Sequence, residues 1–294
     1  MTQAFAYKLE QDSAPLPRAA AAGKRRLRWT ELGARGARDA VGWYLPLLAL
    51  GLWALAADQQ WAPPQILPAP RLVAQTLTEL VASGDLLLHA GISLARVAAG
   101  FLAGAVLGLG LGAAMGLSRR VEQYVHPLFN ALNQVPVLGW LPLAMMIFGI
   151  GESLKVVIIA QASLVPIAIN VFEGIRRVPR QYVEVARVFE FSRLQYLRTV
   201  VFPATVPSLF VGLRYGLTLA WLSLVTVELL ASSEGLGFMI VWGRQLFQLD
   251  LVLAAIVSIG LVGLVLDQGL AKLESRLLHW RPKAAWGPAQ AGAQ

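Results

Sequence analysis

Four long stretches of this chain carry no Asp, Glu, Lys or Arg. Asp39 and Asp58 enclose 18 such residues (40–57), and Arg96 and Arg119 enclose 22 (97–118). Glu122 and Glu152 enclose 29 (123–151), and Lys155 and Glu173 enclose 17 (156–172). About 20 apolar residues cross a bilayer as a helix, and a soluble core does not call for four such helices in succession. Composition agrees, because only 14% of the residues are charged where a soluble domain carries about 25%. Two further spans complete the set. One runs from about Pro207 to Leu230 around a single internal charge, Arg214, and the other from about Leu251 to Leu270 with Asp267 near its end. The chain reads as an all-α, multi-pass membrane protein with about six transmembrane helices.

Six spans put both tails on one side, with the segments after spans two and four. That side holds twenty Lys and Arg: eight in 1–40, Arg119 and Arg120, six in 173–203, and Lys272, Arg276, Arg281 and Lys283. The other side holds Arg71, Lys155 and Arg244. Basic segments stay in the cytoplasm, so both termini are expected there. The net charge of +8 therefore reads as topology and contact with anionic lipid, not as nucleic-acid binding. The first span lies behind a polar, Ala-rich tail without a signal-peptide cleavage pattern, so it is expected to be retained. The absence of cysteine excludes disulfides, thiol catalysis and iron–sulfur clusters.

Residues 1–40 form a basic tail, and 58–91 are expected outside the membrane. Within that segment the prolines of PPQILPAPRL give turns and extended chain. LVAQTLTELVASG then reads as a short amphipathic helix with Leu72, Val73, Leu77, Leu80 and Val81 on one face. Span two carries Gly100, Gly104, Gly108, Gly112 and Gly116, a stripe along one helix face that admits a second helix closely. Neither the spacing nor a preceding strand fits a dinucleotide fingerprint. Span three carries Asn133, Gln134, Pro136, Gly139 and Pro142. Such residues in a span face protein or water, so this is either a segment lining a path or a kinked packing helix.

Catalytic signatures are missing. There is no phosphate-binding G-x-x-x-x-G-K-[ST], and His89, His126 and His279 are scattered without metal-ligand spacing. No nucleophile elbow or close pair of intramembrane carboxylates occurs. Neither a metal nor a cofactor is implied. Glu228, near the outer end of span five, is too costly to leave in hydrocarbon. It is expected to face the protein interior, lining a path or bonding to the backbone that follows, unless it reaches the interface. Arg214 lies near the start of its span and is expected to snorkel to the cytoplasm.

The segment 184–207, EVARVFEFSRLQYLRTVVFPATVP, is polar yet helical in rhythm. Pro179 suits a helix start, and Tyr182, Val185, Ala186 and Phe189 follow at helical spacing. Ser192-x-x-Gln195 reads as a capping box opening a second short helix toward Val201, and Pro203 and Pro207 mark re-entry into the membrane. Two helices exceed what a connection needs, so a docked partner is the sharper reading and an amphipathic linker lying on lipid the plainer one.

This segment resembles the EAA loop of ABC-importer permeases: E-A-A, three residues, G, nine residues, I-x-L-P. Glu184, Val185 and Ala186 match with one substitution, and Val200, Phe202 and Pro203 match conservatively. Glu190 stands at the glycine position, where a turn of different geometry, closed by the Ser192 cap, is expected. Similarity extends over about 60–275, through ILPAP, AMGLSR, VPVLGWLPLAMMIFGIGES, PSLFVGLRYGLTLAWLSLVTVELLASSEGLGFMI and FQLDLVLAAI. These stretches are similar to the permeases for taurine, alkanesulfonates, nitrate and bicarbonate.

The resemblance implies a type I importer transmembrane domain at 86–270, after a first helix and extracytoplasmic segment at 41–85 and before a cytoplasmic tail at 271–294. It implies an inner-membrane homodimer, two cytoplasmic ATPase subunits and an extracytoplasmic binding protein. The transported species would be a small oxyanion, an alkanesulfonate ahead of taurine, nitrate or bicarbonate. ATP hydrolysis would be left to the partner. Tyr182, Glu184, Val185, Ala186, Arg187, Phe189, Glu190 and Pro203 would couple to the ATPase: Ala186 by allowing close approach, Glu184 and Arg187 by polar contacts, and Tyr182 or Phe189 as anchors. Asn133, Gln134, Pro136 and Glu228 are candidates for the path. The competing classes are a secondary transporter working alone, which would need midplane charges and usually a repeat, and a membrane-bound enzyme.

Overall fold

The computed structural model describes residues 44–278 except Pro64 and the side chain of Leu132. The expected tail 1–40, and residues 279–294 of the expected tail 271–294, lie outside the described residues. Contacts divide the chain at Pro64. In the first unit, α1 is an apolar helix described over Tyr44–Asp58. Gln60 closes it with φ 54°.

The second unit runs through α2 (Pro70–Ser83), α3 (Asp85–Leu117), α4 (Arg119–Asn133), a 3-10 turn (Val137–Trp140), α5 (Leu141–Phe148) and α6 (Glu152–Arg176). It continues through α7 (Arg180–Val188), α8 (Arg193–Tyr196), a π turn (Leu197–Val201), α9 (Phe202–Ala231), α10 (Leu236–Gln245) and α11 (Leu249–Leu277). No strand occurs among the described residues. Among the described residues, four segments are long and apolar enough to cross a membrane: α3, α6, the run containing α9, and α11.

The core is α6, held between α3 and α9. The glycine stripe of α3 lies on α6 in parallel register. Gly100 meets Ile159, Gly104 meets Ser163, Gly108 meets Ile167, Gly112 meets Val171 and Gly116 meets Ile175. A Cβ on Gly104 would fall 2.1 Å from Ser163 Oγ and 2.4 Å from the Ala160 carbonyl oxygen, where no atom fits. On its other flank α6 meets α9 in antiparallel sense, with Gly212 against Asn170, Gly216 against Ile167 and Gly174 against Ser208. Leu154, Ile158, Ile159 and Ile167 are sealed from solvent as a result.

A parallel α3 and α6 require the chain to return between them, and it does so in two pieces. Phe129 of α4 packs with Met115 and Ala168, while Leu141 and Ala144 of α5 pack with Leu154 and Ile158. The expectation of one span over 123–151 is thus corrected to two helices parted at 134–136. Pro136 lacks an N–H and forces Val135 out of the helical region, which parts them.

Two smaller expectations also change. Span two, bounded at Arg96 by charge, belongs to a helix beginning at Asp85, so Arg96 lies inside it. On α2 the inward residues are Val73, Leu77 and Leu80, whereas Leu72 and Val81 are exposed. Arg214 is half-exposed, and its Nε and Nη2 donate to the Asp267 carboxylate of α11 at 2.7 and 2.9 Å.

Gly104→Ala is expected to lower stability by about 1–3 kcal/mol through overpacking. Gly110→Ala on the open face, with nothing within 4 Å of its Cβ, is expected to gain up to about 1 kcal/mol of helix propensity. Thermal unfolding of the purified protein in detergent checks both. Equal shifts would contradict the seam.

Candidate functional site

Two assemblies lie at opposite ends of α6, whose 25 residues span about 37 Å at 1.5 Å per residue. The first follows its C-terminus. Pro179, at φ −61° and ψ 135°, precedes α7. After α7 the Phe191 N–H donates to the Ala186 carbonyl at 2.9 Å and the Glu190 N–H to the Arg187 carbonyl at 3.0 Å. This is the paired closure of a left-handed helix cap. Glu190 takes φ 50° to make it. The expected alternative geometry is therefore corrected: Glu190 adopts the conformation a glycine would favour, at a cost of about 1–2 kcal/mol.

The capping box at Ser192 is present. The Gln195 N–H donates to Ser192 Oγ at 3.3 Å and the Ser192 N–H to Gln195 Oε1 at 2.8 Å. The helix it opens does not stop. α8 passes through the π turn, where the Phe202 N–H donates to the Leu197 carbonyl, directly into α9. Pro203 and Pro207 lie in its first turn and its interior, so they do not mark a separate entry. Pro203 has no N–H to offer and its ring crowds the preceding turn; a widened turn relieves that crowding.

α7 divides its residues unevenly. Tyr182, Val185, Val188 and Phe189 are exposed, Phe189 at 70%, and Glu184, Arg187 and Glu190 are exposed with them. Ala186 is 5% exposed. Its side chain turns into its own chain, beneath the exposed face of α7. Pro203 is exposed. Beside this element, Arg176 at the end of α6 donates to Glu122 at the start of α4, and that hydrogen bond holds the Glu122 carboxyl below its usual range.

The second assembly surrounds the N-terminus of α6. Arg96 of α3 is 4% exposed and Glu228 of α9 is fully buried. Arg96 Nη1 donates to Glu228 Oε1 and to the Glu234 carbonyl, both at 2.8 Å. Ser93 Oγ donates to the same carboxylate at 2.8 Å while accepting the Leu236 N–H at 2.9 Å. The Gly237 N–H donates to Glu228 Oε2 at 2.9 Å. The carboxylate thus meets the N-terminus of α10, whose free N–H groups favour an anion. Gly235, at φ 107°, passes so close that a Cβ would lie 2.2 Å from Glu228 Oε1, so no other residue fits there. The outer edge of Arg96, Nε and Nη2, donates to Glu152 at 2.7 and 2.6 Å, and Lys155 Nζ donates to Glu152 at 2.7 Å.

Of the sequence candidates for a path, Asn133, Gln134 and Pro136 are exposed at the break after α4, while Glu228 is sealed inside the cluster. Arg96, Ser93, Glu152 and Lys155 escaped the sequence reading, where three of them served only as span boundaries. Their signal was indirect. A buried carboxylate at 228 demands a cation, and Arg96 is a lone charge inside an apolar helix.

Glu228→Ala should leave the inner Nη1 edge of Arg96 buried without its carboxylate, with Glu152 on the other edge as the remaining counter-charge, and lower stability by about 3–5 kcal/mol. Replacing both by methionine should cost less than the single change. Chemical denaturation in detergent micelles checks the order; a milder single change than double change contradicts it.

Comparison with known proteins completes the picture. A sequence model of the family described as binding-protein-dependent transport system inner membrane component matches residues 104–279. The chain is 40% identical over 248 residues to SsuC of Bacillus subtilis (strain 168), named for aliphatic sulfonates transport, covering 83% of this chain and 90% of that one. It is 33% identical over 261 residues to the taurine transport system permease protein TauC of Escherichia coli (strain K12), covering 87% and 94%. The MetNI methionine ABC transporter, in inward-facing conformations, shares the fold at a TM-score of 0.50 and 17% identity, over 62% of this chain and 92% of that one.

Proposed function

We propose, from the premise that this chain belongs to the family of binding-protein-dependent transport system inner membrane components, that it carries a small oxyanion inward, an aliphatic sulfonate ahead of taurine, nitrate or bicarbonate. The family is one of transport permeases and not of enzymes, and the chain is a multi-pass inner-membrane permease of an ABC importer. A secondary transporter working without ATP is not favoured. The sulfonate reading is supported by the relatives named for sulfonates and taurine.

In this reading the permease forms a homodimer, both termini face the cytoplasm, and an extracytoplasmic binding protein delivers the substrate. Segment 1–40 is a cytoplasmic tail, 41–85 holds the first helix and an outer segment, 86–270 is the transport domain and 271–294 a second cytoplasmic tail. Two ATPase subunits grip α7. Tyr182, Val185 and Phe189 give the apolar contact, and Glu184, Arg187 and Glu190 the polar rim. An exposed apolar face rimmed by charge is what a partner site requires.

The observation that carries the mechanism is the unbroken run from α8 into α9. The left-handed cap that closes α7 at Glu190 and the capping box that opens α8 at Ser192 fix the turn between them, so displacement of α7 when ATP closes the ATPase pair passes along α9 without a flexible joint. Pro203, where the widened turn ends, sets the angle of that transfer. Asn133, Gln134 and Pro136 lie at the broken segment and offer polar atoms to a passing anion, while Glu228 holds the outer ends of α3 and α9 in place.

Glu184→Lys is expected to reduce co-purification of the ATPase and to abolish ATP-dependent uptake of labelled methanesulfonate into proteoliposomes. Normal assembly and normal uptake by this variant would contradict the role of α7.

A further inference from the structure

We infer that Arg96 and Lys155 form a latent site for the head group of a monovalent oxyanion, occupied at rest by the chain's own Glu152 carboxylate. The inference rests on the oxyanion reading above and assigns residues to it. The guanidinium of Arg96 is divided. Its Nη1 edge is committed inward to Glu228, Ser232 and the Glu234 carbonyl. Its Nε and Nη2 edge goes to the two oxygens of Glu152. Lys155 Nζ has Glu152 as its hydrogen-bond partner among the described residues. Two cations, each about 95% buried, thus converge on one carboxylate whose own side chain is 62% exposed.

The three differ in freedom. Arg96 is anchored by the seam of α3 and by Glu228. Lys155 sits one helical turn into α6, 5% exposed. Glu152 is the first residue of α6 and its side chain is mostly exposed, so it can rotate outward without repacking the core. Its departure leaves a planar two-donor fork and an ammonium facing the same point. That set suits a pair of oxygens on one centre, as carboxylate, sulfonate, nitrate and bicarbonate all present.

Charge sets the selectivity. Glu228 neutralises one cation, so the site without Glu152 carries a single uncompensated positive charge. A monoanion restores neutrality; a dianion such as sulfate leaves a buried negative excess and pays more desolvation. Exchange of one anion for another of equal charge is close to balanced, which keeps the site weak enough to release what it takes. Between cycles Glu152 compensates the one positive charge that Glu228 leaves.

The test uses the full importer in nanodiscs with its ATPase, without the binding protein, and measures binding of labelled methanesulfonate and of sulfate. Glu152→Gln should bind methanesulfonate about tenfold more tightly than wild type, because removing the resident charge leaves the cations unpaired. Its gain for sulfate should be smaller. Glu152→Asp should bind as wild type does, and adding Lys155→Met to Glu152→Gln should remove the gain. No gain in Glu152→Gln, or a gain that survives Lys155→Met, overturns the site. Uptake by the wild-type importer with its binding protein separates the two readings: import of methanesulfonate without any Glu152→Gln gain fails the site alone, and import of no oxyanion from a panel of methanesulfonate, taurine, nitrate and bicarbonate fails both.

Discussion

The contact between α3 and α6 leaves no room for a side chain on the α3 side, and the rest of the molecule is arranged around that fact. In a membrane, helices gain little by leaving lipid for one another, so close backbone approach and its dispersion contacts must supply the attraction. Five glycines in register provide such an approach along most of α3. Because the two helices run parallel, α4 and α5 must carry the chain back between their ends. Because α6 is then covered on one flank, α9 can cover the other, again across glycines. A close-packed three-helix core of this kind shifts as a unit and does not deform smoothly.

The ends of that core have different tasks. At one end the Arg96–Glu228 pair joins α3 to α9 and, through Ser93 and the N–H groups of Leu236 and Gly237, to α10. A buried pair is weak evidence of net stability. What it supplies here is a fixed register, since any sliding of α3 against α9 would leave a charge unpaired. At the other end the described residues form no buried ion pair: α7 presents aromatic and aliphatic side chains outward, and its turns are fixed by hydrogen bonds. One end is pinned and the other offered to a partner, which is what transmission along a rigid body requires.

The membrane class was legible in the uncharged runs, and the capping box at Ser192 in four residues, because both are local signals. The glycine spacing of α3 announced a face without Cβ atoms but could not say that α6 would lie on it. Arg96 and Glu228 are 132 residues apart, and Arg214 and Asp267 are 53 apart; a lone charge in an apolar segment signals that a partner is needed, but the fold decides which. Glu190 shows a different limit. Its residue type argues against a left-handed conformation, yet the hydrogen bonds of the helix cap before it and the capping box after it fix the turn and outweigh a residue preference of about 1–2 kcal/mol. The break after α4 was half legible: Pro136 signals a disturbance, but whether a helix bends or parts depends on what packs beside it.

If α3, α6 and α9 form one body moved from α7, distances inside the chain must stay constant while the importer turns over. Pulsed electron spin resonance between labels at positions 106 on α3 and 188 on α7, both well exposed, reports this directly when labelled chains are diluted among unlabelled ones. The distance should change by less than about 2 Å between nucleotide-free, ATP-bound and post-hydrolysis states. A shift of about 5 Å, one helical turn, would show that α7 moves independently of the core and would contradict the rigid transmission.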